Sequence, residues 1–305
     1  MILVTGGLGM IGAHTARALV ELGHEVVVTA HRRTAVPSFL AGVIVESVDV
    51  TDRDAFLALG ERHHISDIVH LAGSIPAEDP VGFFRTDMAG LLNALEAARA
   101  WNVRRFAVAS SIGVYIGRPE IPWHEELPLP SAELPHLIIA FKKAVEPITT
   151  HSLAGTAVQP VVLRIGSIWG PLMDPESPFN PIPPFVSAAL RGEQPRPLYA
   201  DDGGDSCYAP DAGRAIALLM NARTLRHTTY NVSSGRPITN RELAAALQAV
   251  IPGVRPELLP GRQHGPGPDP HLDITRLTLD SGFTPAFDIA EAVADYVTWR
   301  SDNPR

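Results

Sequence analysis

Met1-Ile2-Leu3-Val4-Thr5-Gly6-Gly7-Leu8-Gly9-Met10-Ile11-Gly12 opens the chain, and its reading decides the fold. Ile2 to Val4 is a short apolar run that reads as a buried strand. It runs straight into Gly6, Gly9 and Gly12, and then into Ile11, Thr15, Leu19 and Leu22 at helical spacing. A strand, a G-x-x-G-x-x-G turn and a helix make the first half of a dinucleotide-binding βαβ unit. Such a turn is too tight for a Cβ, and the backbone must come close to a pyrophosphate. The helix N-terminus then offers N–H groups and a partial positive charge to the phosphates.

Outward from this turn, apolar strands alternate with helical patterns. Strands are expected at Ile2–Thr5, Glu25–Thr29, Val43–Ser47, Asp67–Leu71, Arg105–Ser110 and Val161–Ile165. Helices are expected at Gly12–Leu22, Asp52–Arg62, Asp87–Ala100 and Ile138–Ser152. That alternation predicts a parallel sheet with helices on both faces and right-handed crossovers. After Gly170 the character changes. Prolines at 171, 175, 178, 181, 183, 184, 195 and 197 leave one helix, about Phe185–Arg191, and Pro252 to Pro270 is again rich in proline and glycine. Neither stretch suits a central strand. Helices at Asn240–Val250 and Ile289–Arg300 complete a second lobe. Ser206–Tyr208 and Thr228–Val232 are expected to return as strands to the first sheet. The division is therefore 1–168 for the dinucleotide-binding domain, with returning segments about 205–234, and 169–204 plus 235–305 for the substrate lobe.

Composition narrows the class. The 305 residues are 45% hydrophobic and 19% charged, an ordinary globular profile. A net charge of −8 without a basic run argues against nucleic acid and anionic membrane as partners. No apolar run reaches the ~18 residues that cross a bilayer, and a strand starting at Ile2 leaves no room for a signal peptide. Cys207 is the only cysteine, so there is no disulfide framework, and the twelve histidines show no ligand spacing; no metal site is expected. These features read as a cytoplasmic protein with a small-molecule substrate, a monomer or homodimer.

Several blocks resemble the extended short-chain dehydrogenase/reductase family, the NAD-dependent epimerases and dehydratases. Thr5 to Gly12 matches its cofactor turn, Asp49-Val50-Thr51-Asp52 its adenine segment, and His70-Leu71-Ala72-Gly73 the strand end beside the cofactor. Val108 to Tyr115 resembles the serine block. Leu163 to Pro171 resembles R-x-x-x-x-Y-G-P with Trp169 in place of tyrosine, and Asp205 to Tyr208, Asp211, Tyr230-Asn231-Val232 and Gly235 match later landmarks. The resemblance implies a Rossmann-type doubly wound α/β sheet with a smaller interleaved α/β lobe. It implies a cofactor held by Thr5, Gly6, Gly9, Met10, Ile11, Gly12, His31, Arg32, Arg33, Asp49, Val50, Leu71, Ala72, Gly73, Lys142 and Ile165. It puts Ser74, Ser111, Ile112, Tyr115, Ser167, Trp169 and Tyr208 against substrate.

Three departures shape the expected function. Family members carry Tyr-x-x-x-Lys with a glutamate four residues on. Lys142 and Glu146 fit, which puts Ile138 at the tyrosine; Lys143 would put Ile139 there. Isoleucine transfers no proton, so Ser111 and Lys142 remain as catalytic candidates, with His136 an alternative acid. The second strand ends in Ala30 where NAD-specific members carry an acid, and His31, Arg32 and Arg33 follow, which points to NADP(H) over NAD(H). Gly204 stands where nucleotide-sugar members carry a diphosphate-binding arginine, unless Arg191, Arg196 or Arg262 compensates. Together these departures favour an atypical ketoreductase, similar to those of angucyclinone antibiotic biosynthesis. Such an enzyme reduces a bulky, partly apolar aromatic polyketide with NADPH and takes its proton from substrate or water. The alternatives are a nucleotide-sugar epimerase or dehydratase, and a non-catalytic NADP(H)-binding sensor or scaffold.

Overall fold

The computed structural model describes residues 1–32, 34–74, 79–131, 136–177, 180–263 and 266–303. Six strands follow one another in the first half: β1 (Ile2–Thr5), β2 (Val26–Ala30), β3 (Val43–Ser47), β4 (Asp67–His70), β5 (Arg105–Ser111) and β6 (Gln159–Ile165). Helices α1 (Met10–Glu21), α2 (Arg53–Leu57), α3 (Leu59–Arg62), α4 (Pro80–Ala100) and α5 (Leu137–Leu153) connect them. After β7 (Ile168–Trp169) come α6 (Ile182–Leu190), β8 (Leu198–Tyr199), β9 (Gly203–Asp205), β10 (Cys207–Tyr208) and α7 (Ala209–Asn221). Then come β11 (Thr229–Val232), β12 (Pro237–Thr239), α8 (Asn240–Val250), β13 (Leu258–Leu259), α9 (Thr275–Ser281) and α10 (Ile289–Asp302).

The main sheet has seven parallel strands in the order β11-β6-β5-β4-β1-β2-β3. This is the doubly wound Rossmann-like α/β fold. The order reverses between β1 and β4, and a crevice opens at such a switch point beyond the carboxyl ends of the strands. Alternation along the strands divides the core. Ile2, Val4, Val26 and Val28 pack with α1 and α7 on one face. Leu3, Val27, Ile68 and Phe106 pack with α2, α3, α4 and α5 on the other. A third apolar cluster joins Phe185 of α6, Leu243 and Leu247 of α8, and Val293 and Tyr296 of α10.

Two expectations need correction here. Thr229–Val232 does return to the sheet, beside β6, but Cys207–Tyr208 pairs with β7 in a separate two-stranded ladder. The strand is only two residues long before α7 begins at Ala209-Pro210, so it does not extend into the main sheet. Residues 275–281, grouped with the second lobe, form α9 and contribute Leu277 to the core under β11 and α7. Among the described residues no helix is long and apolar enough to cross a membrane.

Candidate active site

The glycine turn builds a cradle. Gly6 has φ +65°, and a Cβ on it would stand 3.0 Å from the Ala72 backbone. A Cβ on Gly12 would stand 2.2 Å from the Gly6 carbonyl oxygen, so α1 enters pressed against the turn. At Gly9 the only neighbour of such a Cβ is the Gly6 oxygen at 3.2 Å, and that side is otherwise open. The first intrahelical bond runs from Ala13 N to Gly9 O, so the N–H groups of Met10, Ile11 and Gly12 precede it. Gly9 gives the helix no side-chain cap. Open space before uncapped N–H groups is what a pyrophosphate needs, so this turn fits a dinucleotide.

A cavity of about 320 Å³ lies over the carboxyl ends of β1, β2 and β4. Gly6, Gly9, His31, Arg32, Asp49, Val50, Leu71, Ala72, Gly73 and Ser74 line it, as expected of cofactor and substrate residues. Thr29, Thr86 and Asp87 also line it and were not among the expected site residues, although Asp87 stands where family members often carry asparagine. Thr5 is fully buried behind the wall and does not reach the cavity. Its Oγ1 accepts from Leu71 N and Ala72 N, both at 3.1 Å, and therefore donates to His70 Nδ1 at 2.9 Å. It ties the ends of β1 and β4 together. His70 is held neutral, at about 3, by burial and then by the charge of Lys142. Ile165 is likewise buried at the end of β6, in register with Ser111, because its side chain belongs to the core. Arg33 lies outside the described residues.

His31 and Arg32 are exposed, and both act on Asp49. His31 Nε2 is 3.4 Å from an Asp49 oxygen. Burial pushes the Asp49 carboxyl up, but bonds from Thr51 N and Oγ1, both 2.9 Å, and the charges of His31 and Arg32 bring it below its ordinary value. The basic pair therefore has a carboxylate partner inside the cavity.

The two lysines of α5 point to different partners. Lys142 Nζ donates to Ala109 O of β5 at 2.8 Å, whereas Lys143 turns to Pro130 O in the preceding loop. Ile138, one turn before Lys142, is half-buried against the apolar cluster under α5. His136 sits exposed before α5 without a capping bond. Ser111 Oγ accepts from Gly113 N at 3.1 Å and keeps its own proton for another acceptor. Ser74 donates through N, at 3.1 and 3.2 Å, and through Oγ, at 2.6 Å, to Asp87. Burial lowers Lys142 to about 8, with Asp87 pulling the other way.

Four residues expected against substrate pack into apolar clusters of the fold. Tyr115 is fully buried; its hydroxyl donates to Asn231 Oδ1 at 2.9 Å and accepts from Arg164 Nη1 at 2.8 Å. Arg164 grips Glu146 of α5 at 3.0 and 2.8 Å, and Ser110 Oγ donates to the same carboxylate at 2.6 Å. Ile112 packs beside Tyr115 in a small apolar cluster. Trp169 and Tyr208 belong to the cluster of the second lobe, Trp169 edge-on to Tyr296 at 5.7 Å and Tyr208 donating to Asp295 at 2.5 Å. Tyr115, Trp169 and Tyr208 are buried and Ile112 only partly so, and Trp169 and Tyr208 also line a cavity of about 400 Å³ with Asp211, Phe287 and Ala292. Ser167 faces a second cavity of about 630 Å³ between β9, β12 and α6, with Asn180, Gly204, Asp205 and Arg262. Arg262 is held by Asp269, at 2.5 and 3.2 Å.

Comparison with known proteins agrees with this architecture from end to end. Residues 2–233 match the model of the NAD dependent epimerase/dehydratase family. UDP-glucose 4-epimerase of Yersinia pestis is 26% identical over 100% of this chain and 98% of its own. A crystal structure of UDP-glucose 4-epimerase from Thermus thermophilus with NAD is 28% identical, with TM-score 0.80 over 98% of both chains. One from Thermotoga maritima with UDP-glucose has TM-score 0.82 at 24% identity, over 100% and 99%. These relatives overturn the expected ketoreductase function and its link to angucyclinone antibiotic biosynthesis: the residues behind it were three departures from a pattern, and departures do not name a substrate. The chain belongs to the NAD dependent epimerase/dehydratase family.

Proposed function

We propose that the chain is an epimerase or dehydratase that acts on a nucleotide-linked sugar with NAD. The observation that carries the reading is the open face of Gly9 before the uncapped start of α1, at the head of a fold shared along its whole length with UDP-sugar enzymes. When bound, the dinucleotide takes up and returns a hydride. Met10, Ile11 and Gly12 hold its pyrophosphate through backbone N–H groups. Asp49 and Val50 lie at the adenine end, and Leu71, Ala72 and Gly73 line the way to the nicotinamide. Ser111 presents a hydroxyl proton to the substrate oxygen. Residues 1–168 and the returning segments hold the dinucleotide. The sugar nucleotide enters from the second lobe, whose 630 Å³ cavity is in the range of ligand sites.

NAD is preferred over NADP because Asp49 already stands 3.4 Å from His31 and within reach of the charge of Arg32. A 2′-phosphate would have to compete with that carboxylate. The test incubates purified chain and NAD with UDP-glucose, UDP-galactose, UDP-glucuronate and dTDP-glucose. Epimers are resolved by chromatography and a 4-keto product by absorbance. Conversion of one of them supports the reading. No conversion, with no UDP or dTDP binding by calorimetry while NAD binds, overturns it.

A further inference from the structure

We infer that Asp87 sets the balance between the two oxidation states of the bound dinucleotide, its carboxylate favouring NAD over NADH. The inference rests on the reading above for the identity of the dinucleotide and on the geometry of the cavity for the residue. Among the described residues that line the cavity of about 320 Å³, the ionisable side chains are those of His31, Arg32, Asp49 and Asp87. The first three gather at the carboxyl ends of β2 and β3, where Asp49 stands 3.4 Å from His31. Asp87 stands apart from them, on α4, against the turn that follows β4. The end of β2 is the adenosine side of such a fold, and the pyrophosphate lies at the start of α1. The β4 side is therefore left to the nicotinamide half, and Asp87 is the ionisable group of the lining there.

Neutral groups fix the carboxylate in place. Ser74 Oγ donates to Oδ1 at 2.6 Å, and Ser74 N donates to Oδ1 and Oδ2 at 3.1 and 3.2 Å. Oδ2 lies beside Gly73, where a Cβ would stand 3.5 Å from it, and Gly73 is an exposed part of the cavity wall. Among the described residues Ser74 is the only hydrogen-bond partner of this carboxylate. Asparagine, which family members often carry here, has the same shape without the charge. That charge acts on the difference between the two dinucleotide states. Taking up a hydride brings two electrons and a proton to the nicotinamide ring and removes its positive charge. A fixed negative charge beside the nicotinamide half opposes that uptake and favours the return. The pyrophosphate carries the same charge in both states, so its repulsion by Asp87 weakens both affinities alike and drops out of their ratio. In an enzyme that hands the hydride back to the sugar it came from, this bias keeps the resting protein in the oxidised form.

The geometry allows a test that changes charge alone. In Asp87→Asn the amide oxygen keeps both Ser74 bonds made by Oδ1, and Nδ2 takes the place of Oδ2. NADH is titrated by its fluorescence, and NAD by competition against it, with no sugar present. A unit charge about 10 Å away at an effective dielectric constant of about 20 shifts such a balance roughly tenfold. The Kd of NADH relative to that of NAD is therefore expected to fall roughly tenfold in Asp87→Asn, about 30 mV for a two-electron couple. It should fall as far in Asp87→Ala, which removes the Ser74 bonds as well. Asp49→Asn, at the adenosine end, should leave the ratio within about twofold, since charges beyond a Debye length are largely screened. An unchanged ratio in either Asp87 variant, or an equal shift in Asp49→Asn, overturns the inference. The titration uses the dinucleotide alone, so it decides the inference even where no sugar nucleotide is converted, a result that removes the proposed function by itself.

Discussion

Gly9 and Gly12 sit three residues apart in one turn, yet their substitution should fail in opposite ways. A Cβ at Gly12 would stand 2.2 Å from the Gly6 oxygen and 2.9 Å from its carbonyl carbon and from Gly7 Cα, all backbone. Backbone does not rotate aside, so Gly12→Ala should force α1 away from β1 and cost about 3 kcal/mol, the upper end of overpacking. For a chain of this size that is a fall in Tm of roughly 5 °C. At Gly9 φ is −76°, and a Cβ meets one atom at 3.2 Å. Gly9→Val should therefore cost only the difference between glycine and valine before a helix, about 1 kcal/mol. Its two methyl groups would fill the space before the N–H groups of Met10 and Ile11. Losing two charge-assisted bonds of about 1.5–3 kcal/mol each weakens NAD by at least roughly 100-fold. Thermal unfolding followed by circular dichroism and NAD titration by calorimetry separate the two effects. A Gly9→Val protein that binds NAD like the wild type would refute the assignment of the phosphate cradle. A Gly12→Ala protein as stable as the wild type would refute the close approach of α1 to the turn.

Three further outcomes follow from the site and its surroundings. Ala30→Asp places a second carboxylate at the end of β2, and should raise the ratio of NADP to NAD dissociation constants by roughly tenfold; an unchanged ratio would mean that β2 does not face the adenosine ribose. Gly204 lines the 630 Å³ cavity, and a Cβ there has no neighbour nearer than 3.9 Å. Gly204→Arg should therefore tighten UDP by about 10-fold or more through a charge-assisted contact, and weaker or equal UDP binding would remove that cavity as the diphosphate site. His70 at about 3 and His14 at about 4 are both neutral when folded, held below 6.5 first by burial. The unfolded chain binds more protons than the folded one between pH 6.5 and about 4, so stability is lost as pH falls through that window, at up to about 1.4 kcal/mol per pH unit for each histidine. Urea unfolding at several pH values reads the slope, and a His70→Asn variant with the same slope as wild type would contradict it.

The alternation of apolar strands and helical patterns located all six early strands to within two residues, because strands buried inside a parallel sheet leave runs of Val, Ile and Leu, and the half-exposed edge strand β3 still shows its β-branched Val43-Ile44-Val45. α7 went unseen. Its less buried positions, Pro210, Arg214, Leu218 and Asn221, fall three or four apart and were a readable helical stripe, and Gly213 lets it lie so near α1 that a Cβ would come within 2.4 Å of His14. α4 starts seven residues earlier than expected, at Pro80, after an Asp79 whose side chain accepts from Val81 N. That Asp-Pro pair was a readable start signal. Within the site, glycines announce themselves through sterics, whereas Asp87 and Thr86 reach the cavity through the pitch of a long helix. Tyr115, Trp169 and Tyr208 show the limit in the other direction. A motif preserves their spacing in the chain, but whether an aromatic ring lines a cavity or fills a core depends on partners far away, such as Asn231 and Asp295.

The pairing of the only two lysines in the middle of α5 has a practical meaning for native-state dynamics. A protease that cuts after lysine has just two adjacent peptide bonds to attack, and both lie inside a helix whose lysines reach Ala109 and Pro130. Cleavage then requires α5 to open, and every cut yields the same two halves, split between β5 and β6. The rate of appearance of those halves reports the opening of this one helix in an otherwise uncut molecule, without any label or engineered site. Helix α4, whose Thr86, Asp87 and Gly90 line the dinucleotide cavity, also packs against α5, so the effect of added NAD on this single bond pair can be read on an ordinary gel.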